Sequence, residues 1–224
     1  MPQPPAFAPI LAAAEARHGT EGLAARLVAP KTAAELSAVP DDRYLSLMSL
    51  RIFRAGLKHE LVDAKWPAFE EVWHGFDPAR CARVWDEELE GMLADRRLIR
   101  HLGKLRAIRA NAAAMLEIAA EHRTFAAWLA DWPATDIVGL WEVLAKRFSQ
   151  LGGNSAAYFL RMAGKDTFVL TDFVAKALVH WGAAEGPPGS RAERRGTQAI
   201  FNRWADETNR PLCQLSQILA LSTD

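Results

Sequence analysis

Residues 146–182, KRFSQLGGNSAAYFLRMAGKDTFVLTDFVAKALVHWG, contain the turn on which the reading of this chain depends. A helical pattern ends near Phe148, Gly152-Gly153 marks a tight hairpin, and a second helix is expected from Asn154 or Ser155. Two helices joined in this way point several backbone N–H groups in one direction. Together with the positive end of the second helix, they suit an anion such as a DNA phosphate. Glycine fits because a side chain blocks close backbone approach and the turn calls for positive φ. Gln150, Leu151, Gly152, Gly153, Asn154 and Ser155 are the expected DNA-backbone contacts. An ordinary αα-turn with a glycine stop has the same spacing, so the glycine pair alone does not separate the two. Downstream, Asp172 stands ahead of Phe173, Val174, Ala177, Leu178 and Trp181, an i, i+4 series on one helical face.

Working outward, the whole chain reads as helical. Short helices are expected over residues 9–17, 21–28 and 32–36, between prolines. DDRYLSLMSLRIFRAGL (residues 41–57) offers an N-cap acid and then apolar residues nearly all round, the mark of a buried helix that Gly56 breaks or kinks. WPAFEEVWHGF predicts a helix entered through Pro67 and stopped at Gly75, and Asp77-Pro78 opens the next, through Val84. Another starts near Asp86, and Gly103 separates it from a long helix carrying Leu105, Ile108, Ala112, Met115 and Leu116. Further helices are expected over 124–131, 137–148, 197–208 and 212–221, with a flexible loop at 182–192. Half of the 224 residues are hydrophobic, enough for a sizeable core, and Ala and Leu lose little side-chain entropy in helices.

Composition narrows the function classes. No apolar stretch reaches bilayer length, and the N terminus lacks the basic region of a signal peptide. Cys81 and Cys213 are too isolated for a disulfide framework or a thiolate metal site, and a cytoplasmic location is expected. No phosphate-binding P-loop, dinucleotide fingerprint, serine elbow or zinc-protease motif is present. Lys plus Arg and Asp plus Glu both number 27, a balance that argues mildly against nucleic acid unless a basic face exists. Arg96, Arg97, Arg100 and Lys104 form one dense cluster, and Arg191, Arg194 and Arg195 another. Each is either a phosphate track or a solvated face.

LGGNSAAYFLRMAG resembles the helix-hairpin-helix element of DNA glycosylases of the DNA-3-methyladenine glycosylase I type. FDPARCARVWDEELEGMLADRRLIRHLGKLRAIRANAAAML (residues 76–116) is similar to that family, above all at FDP, IRH, GK and NA. RAGLKHELVDAKW lies where the family has its AGL-containing, pocket-lining helix. Three departures stand out. Arg51 occupies the place of the family's glutamate, His59 that of a tryptophan, and Phe173 that of a zinc ligand. The resemblance therefore implies no zinc, although a monovalent cation at the hairpin carbonyls is common in the superfamily. TDFVAKAL resembles the segment in which the wider superfamily has its catalytic aspartate, which makes Asp172 the candidate, with Thr171 the neighbour one register away.

The chemistry implied is cleavage of an N-glycosidic bond through an oxocarbenium-like transition state, which a carboxylate stabilises electrostatically. The base must first be flipped from the stack into an aromatic pocket. The base-pocket candidates are Tyr44, Arg51, Phe53, His59 and Trp66. Arg51 would repel a cationic base; pairing with an acid, binding phosphate or hydrogen-bonding a neutral lesion are its alternatives. A lyase would need a lysine at the hairpin, and Lys146 and Lys176 are poorly placed, so a monofunctional hydrolase is expected. The resemblance thus implies an all-α helix-hairpin-helix glycosylase fold with two packed helical lobes and a cleft. Residues 1–40 would be an N-terminal helical extension and 41–224 the glycosylase-like domain. The expected activity is excision of alkylated purines such as 3-methyladenine by a monomer acting on damaged double-stranded DNA, away from membranes. A non-catalytic damage binder on the same fold and a helical interaction protein are the rivals.

Overall fold

The computed structural model describes residues 5–223, so residues 1–4 and 224 of the two expected segments lie outside the described chain. The helices are α1 Ala8–His18, α2 Thr20–Ala24, α3 Ala33–Ser37, α4 Asp41–Arg54, α5 His59–Val72, α6 Pro78–Cys81, α7 Asp86–Ala94, α8 Leu102–His122, α9 Phe125–Asp131, α10 Ile137–Arg147, α11 Ser155–Ala163, α12 Asp172–His180, α13 Arg191–Thr208 and α14 Leu212–Leu221. No strand occurs among the described residues. None of their helices is long and apolar enough to cross a membrane. The chain divides into two compact units. One comprises the segments up to Lys31, Pro133–Leu140 and from Gly164 onward; the other comprises Thr32–Trp132 and Trp141–Ala163.

The second unit is built around α4, whose Tyr44, Leu45, Met48, Ile52 and Phe53 are all buried. Helices α5, α8, α9 and α11 pack against it. Ser49, fully buried on α4, satisfies its hydroxyl by donating to the Leu45 carbonyl at 2.7 Å. Phe125 forms an aromatic hub, its ring 5.6 Å from Tyr44, 5.4 Å from Trp128 and 5.8 Å from Phe148.

Asp41 does not cap its own helix; Pro40 holds that position. Its carboxylate instead accepts from the Phe125 and Ala126 N–H groups at 3.0 and 2.9 Å, alongside the Thr124 cap of α9. An acid placed by the sequence at one helix start thus serves the positive end of another, which only tertiary packing brings near.

Pro67 likewise sits inside α5 instead of opening it. The apolar face of Val62, Trp66 and Phe69 runs through the proline, and Trp66 stacks on Phe69 at 4.9 Å, so packing outweighs the missing backbone donor. Gly103 lies in the first turn of α8 and not before it, because His101 caps the helix by accepting from the Lys104 N–H. Leu116 departs from the buried stripe of α8 and is 39% exposed. Helix α2 ends at Ala24, short of Val28, and α6 at Cys81, short of Val84.

In the first unit, α14 packs against α1, α12 and α13. Phe168 stacks on Phe201 at 4.3 Å, and Trp204 joins them while donating its indole N–H to the Pro5 carbonyl. Asp166 caps α14 from afar, accepting from the Leu212 and Cys213 N–H groups. Helix α13 begins at Arg191, earlier than its apolar pattern, because Ser190 and Glu193 form a capping box.

Candidate nucleic-acid interface

The hairpin lies between α10 and α11. Its first residue, Ser149, is clamped by the fully buried Asn111 of α8. The Ser149 N–H donates to Asn111 Oδ1 at 2.6 Å, and Asn111 Nδ2 donates to the Ser149 carbonyl at 3.2 Å. Gln150 follows at φ +62°, a left-handed backbone that costs a non-glycine residue about 1–2 kcal/mol. Its side chain anchors the turn by donating to the Gly103 carbonyl at 2.8 Å. Leu151 is fully buried beneath the turn. Gly152 and Gly153 stand exposed above it.

Gly153 needs its glycine for φ +60°, whereas Gly152 shows no positive φ. A Cβ at either position would meet nothing within 4 Å. The Gly152 and Gly153 N–H groups find no acceptor among the described residues. Nothing inside the protein therefore demands a glycine at 152, and its bare backbone faces outward. The hairpin carbonyls are more occupied: those of Ser149, Gly152 and Asn154 accept from Asn111, Ser155 and Tyr158.

Asn111 was not singled out as a site residue from the sequence. A polar side chain on the buried face of an apolar helix, within the NA of the similar segment, was the available signal.

The pocket candidates fall into distinct environments. Tyr44 is 1% exposed and donates its hydroxyl to the Leu36 carbonyl at 2.8 Å, so its ring is core. Burial, with Asp41 nearby, pushes its pKa up to about 12. Phe53 is also fully buried, edge-on to Phe69 and Trp66. Trp66 is half-buried; it stacks on Phe69 and Phe76 and donates its indole N–H to Ser46 Oγ at 3.0 Å. His59 is exposed at the first residue of α5.

Arg51 is half-buried on α4, its guanidinium carbon 4.6 Å from the centre of the Tyr158 ring on α11. Its Nε is sealed from solvent and has no hydrogen-bond partner. Burial lowers its proton affinity, the nearby Tyr158 offsets this in part, and Arg54 adds to the lowering. Lys104 of α8 stands close by, 8% exposed. Its ammonium donates to the carbonyls of Ala55 at 2.7 Å and Phe53 at 3.3 Å, at the negative end of α4. Burial first, and then Arg51, lowers its pKa.

The basic cluster of residues 96–104 is thus divided. Lys104 turns inward, while Arg97 is held by Asp95 at 2.9 Å and Glu71 at 3.1 Å. Within this one unit the structure joins the hairpin, Gly103, Lys104, Arg51 and Tyr158 through direct contacts and adjacent residues.

Asp172 belongs to the other unit. It is exposed in the first turn of α12, and Thr171, not Asp172, caps that helix by accepting from the Val174 N–H at 3.1 Å. Beside it Phe173 is 61% exposed. No group of three or more His, Cys, Asp or Glu able to hold a metal occurs among the described residues.

The fold places the chain among all-helical proteins of the DNA glycosylase class. It matches a crystal structure of a 3-methyladenine DNA glycosylase I at 26% identity and a TM-score of 0.50, over 61% of this chain and 81% of that one. A 3-methyladenine DNA glycosylase I from Staphylococcus aureus matches in fold at 20% identity and a TM-score of 0.51, over 67% of this chain and 89% of that one. The methyladenine glycosylase family model matches residues 37–148, 112 of the 224 residues, and the chain belongs to that family. DNA-3-methyladenine glycosylase 1 of Escherichia coli (strain K12) is 37% identical over 65 residues, or 29% of this chain. That match spans about a third (35%) of the relative's own length. The family match ends before the glycine pair and before Asp172.

Proposed function

We propose that this protein is a monofunctional DNA N-glycosylase that removes alkylated purines, of the kind its relatives are named for, in base excision repair. The observation that carries the reading is the hairpin: two exposed glycines whose N–H groups find no acceptor among the described residues, on a chain of this family. Those donors and the positive end of α11 suit a phosphate of duplex DNA, and a charge-assisted hydrogen bond to phosphate is about twice as strong as a neutral one. Binding there holds the backbone while the damaged nucleotide leaves the stack.

Asp172 is the proposed catalytic group. Its exposed carboxylate would stabilise positive charge developing on the deoxyribose and orient the attacking water. Trp66 and Tyr158 are the proposed aromatic faces. The partner is double-stranded DNA containing a damaged base, bound by a single copy of the chain in the cytoplasm.

The test is release of free bases from methylated duplex DNA by the wild type and Asp172→Asn. Release of methylated purines by the wild type, lost in the variant, supports both the activity and the residue. Release by both keeps the activity and moves catalysis elsewhere. DNA binding without release by either sinks the enzyme reading in favour of a damage binder.

A further inference from the structure

Where α6 runs into α7, the second unit exposes a tryptophan beside two arginines that neither the hairpin nor Asp172 uses. Trp85 is 72% exposed and pairs with no other ring among the described residues. Arg80 and Arg83, both exposed, make no ion pair or side-chain hydrogen bond among them. With His74, Val84 and Glu88, those arginines line an open hollow of about 230 Å³. Trp85 is tied to that lining twice: it follows Val84 in the chain, and its N–H donates to Glu88 Oε1 at 3.0 Å.

One wall of the hollow is held firmly. His74, Gly75 and Phe76 have consecutive left-handed backbones, with φ of +54°, +66° and +60°. That conformation is costly for the two non-glycine residues and persists only where the surroundings enforce it. Here Phe76 is fully buried and stacks on Trp66 at 5.4 Å, and Arg43 donates to the Gly75 carbonyl. The charges of the hollow favour an anion. Arg109 pairs with Asp86 at 2.8 Å, the Glu88 carboxylate is engaged by the Trp85 N–H, and Glu87, the remaining acid of that turn, does not line the hollow. The lining carries two guanidiniums against one carboxylate, an excess that matches a single phosphodiester.

An exposed indole next to unpaired arginines suits an unpaired strand, whose bases stack on aromatic rings while positive charge follows its backbone. A duplex cannot use such a face, because its bases are already stacked on one another. We propose that the hollow and Trp85 form a binding site for one unpaired nucleotide, its phosphate held by Arg80 and Arg83 and its base stacked on the indole. The site shares no residue with the hairpin, Asp172 or the proposed aromatic faces, so it stands apart from the glycosylase reading.

The test is fluorescence titration of the full chain with a short oligothymidine, which neither self-pairs nor carries a purine. Of the eight tryptophans only Trp85 is exposed, so stacking there quenches the solvent-exposed emission. The expected result is saturable quenching that Trp85→Ala removes. By anisotropy the affinity of that variant falls roughly tenfold, while Trp85→Phe keeps most of it. Replacing Arg80 and Arg83 together by Gln lowers the salt slope by about 0.7, the value for one single-strand phosphate. Equal melting temperatures keep these losses separate from unfolding. Thymidine monophosphate distinguishes the sources: binding as tight as the oligomer's supports a free nucleotide in the site, and weaker binding supports a strand.

Oligothymidine binding that is absent, or unchanged in both the Trp85→Ala and the double arginine variant, overturns the proposal. So does inorganic phosphate that competes as well as the nucleotide, because stacking then contributes nothing. Self-association in sedimentation that depends on Trp85 also overturns it, by making the indole an interface between copies of the chain. A parallel assay measures base release from methylated duplex, which is expected to stay at the wild-type level in Trp85→Ala. No release by the wild type, beside oligothymidine binding that depends on Trp85, sustains this site and sinks the glycosylase reading alone.

Discussion

The hairpin and the far end of α4 both present positive potential, but by opposite means. At the hairpin, Ser149 and Gln150 are held by neutral side-chain hydrogen bonds. Gly152 and Gly153 follow, exposed and with no acceptor for their N–H groups among the described residues. At the end of α4 the backbone shows carbonyls, Lys104 covers them, and Arg51 adds a second cation beside Tyr158. The hairpin's potential is weak, distributed and open, as suits a phosphate that binds in any sequence. The other is concentrated and half-buried, where a low local dielectric makes charge complementarity more decisive.

The largest effect is expected at the hairpin's support. Asn111→Ala orphans the Ser149 N–H and carbonyl, and a loss of roughly 2–4 kcal/mol in denaturant unfolding is expected, with DNA binding lost alongside. A variant as stable as wild type would mean that the hairpin does not depend on its clamp.

The start of α4 gives the next largest effect, since it buries a neutral group where the end buries cations. Tyr44 ionises near pH 12 in the folded chain and near 10 when unfolded, so between those values the unfolded state loses its proton first. Stability therefore falls as pH rises through that window, by roughly 2–3 kcal/mol from this residue, and Tyr44→Phe flattens this limb of the unfolding curve.

Lys104→Met tests the other side of the comparison. Loss of the donors to the Ala55 and Phe53 carbonyls is offset in part by relief of repulsion with Arg51, so about 1 kcal/mol of destabilisation is expected in thermal melts. A cost as large as that of Asn111→Ala would make Lys104 structural first.

The smallest stability effects separate the two glycines. Gly153→Ala, at positive φ, is expected to cost about 1 kcal/mol. Gly152→Ala meets open space at ordinary φ and changes stability by less than about 0.5 kcal/mol. It nevertheless lowers duplex affinity roughly tenfold by obstructing one charge-assisted contact. Unchanged affinity in Gly152→Ala would return the turn to an ordinary αα-connection.

Much of this was legible in the chain itself. Apolar spacing at 3.6 residues, the Asp77-Pro78 start and the glycine pair fix helices and hairpin locally, because each depends on neighbours within a few residues. The similar segments carried the family. What the sequence could not rank was environment. Tyr44 and Phe53 read as pocket candidates and are core, whereas His59 is exposed, as its surface alternative has it, and Trp66 is half-buried, since burial depends on which helix lies opposite. Asp41 looks like a local cap and acts across 84 residues. Lys104 looks like one of four surface cations and is the buried one. Local periodicity by itself determined which segments are helical, though not where α5, α8 and α13 begin. Tertiary packing alone decided which polar groups are paired, and so left Arg51 half-buried with no acid in ion-pair distance among the described residues.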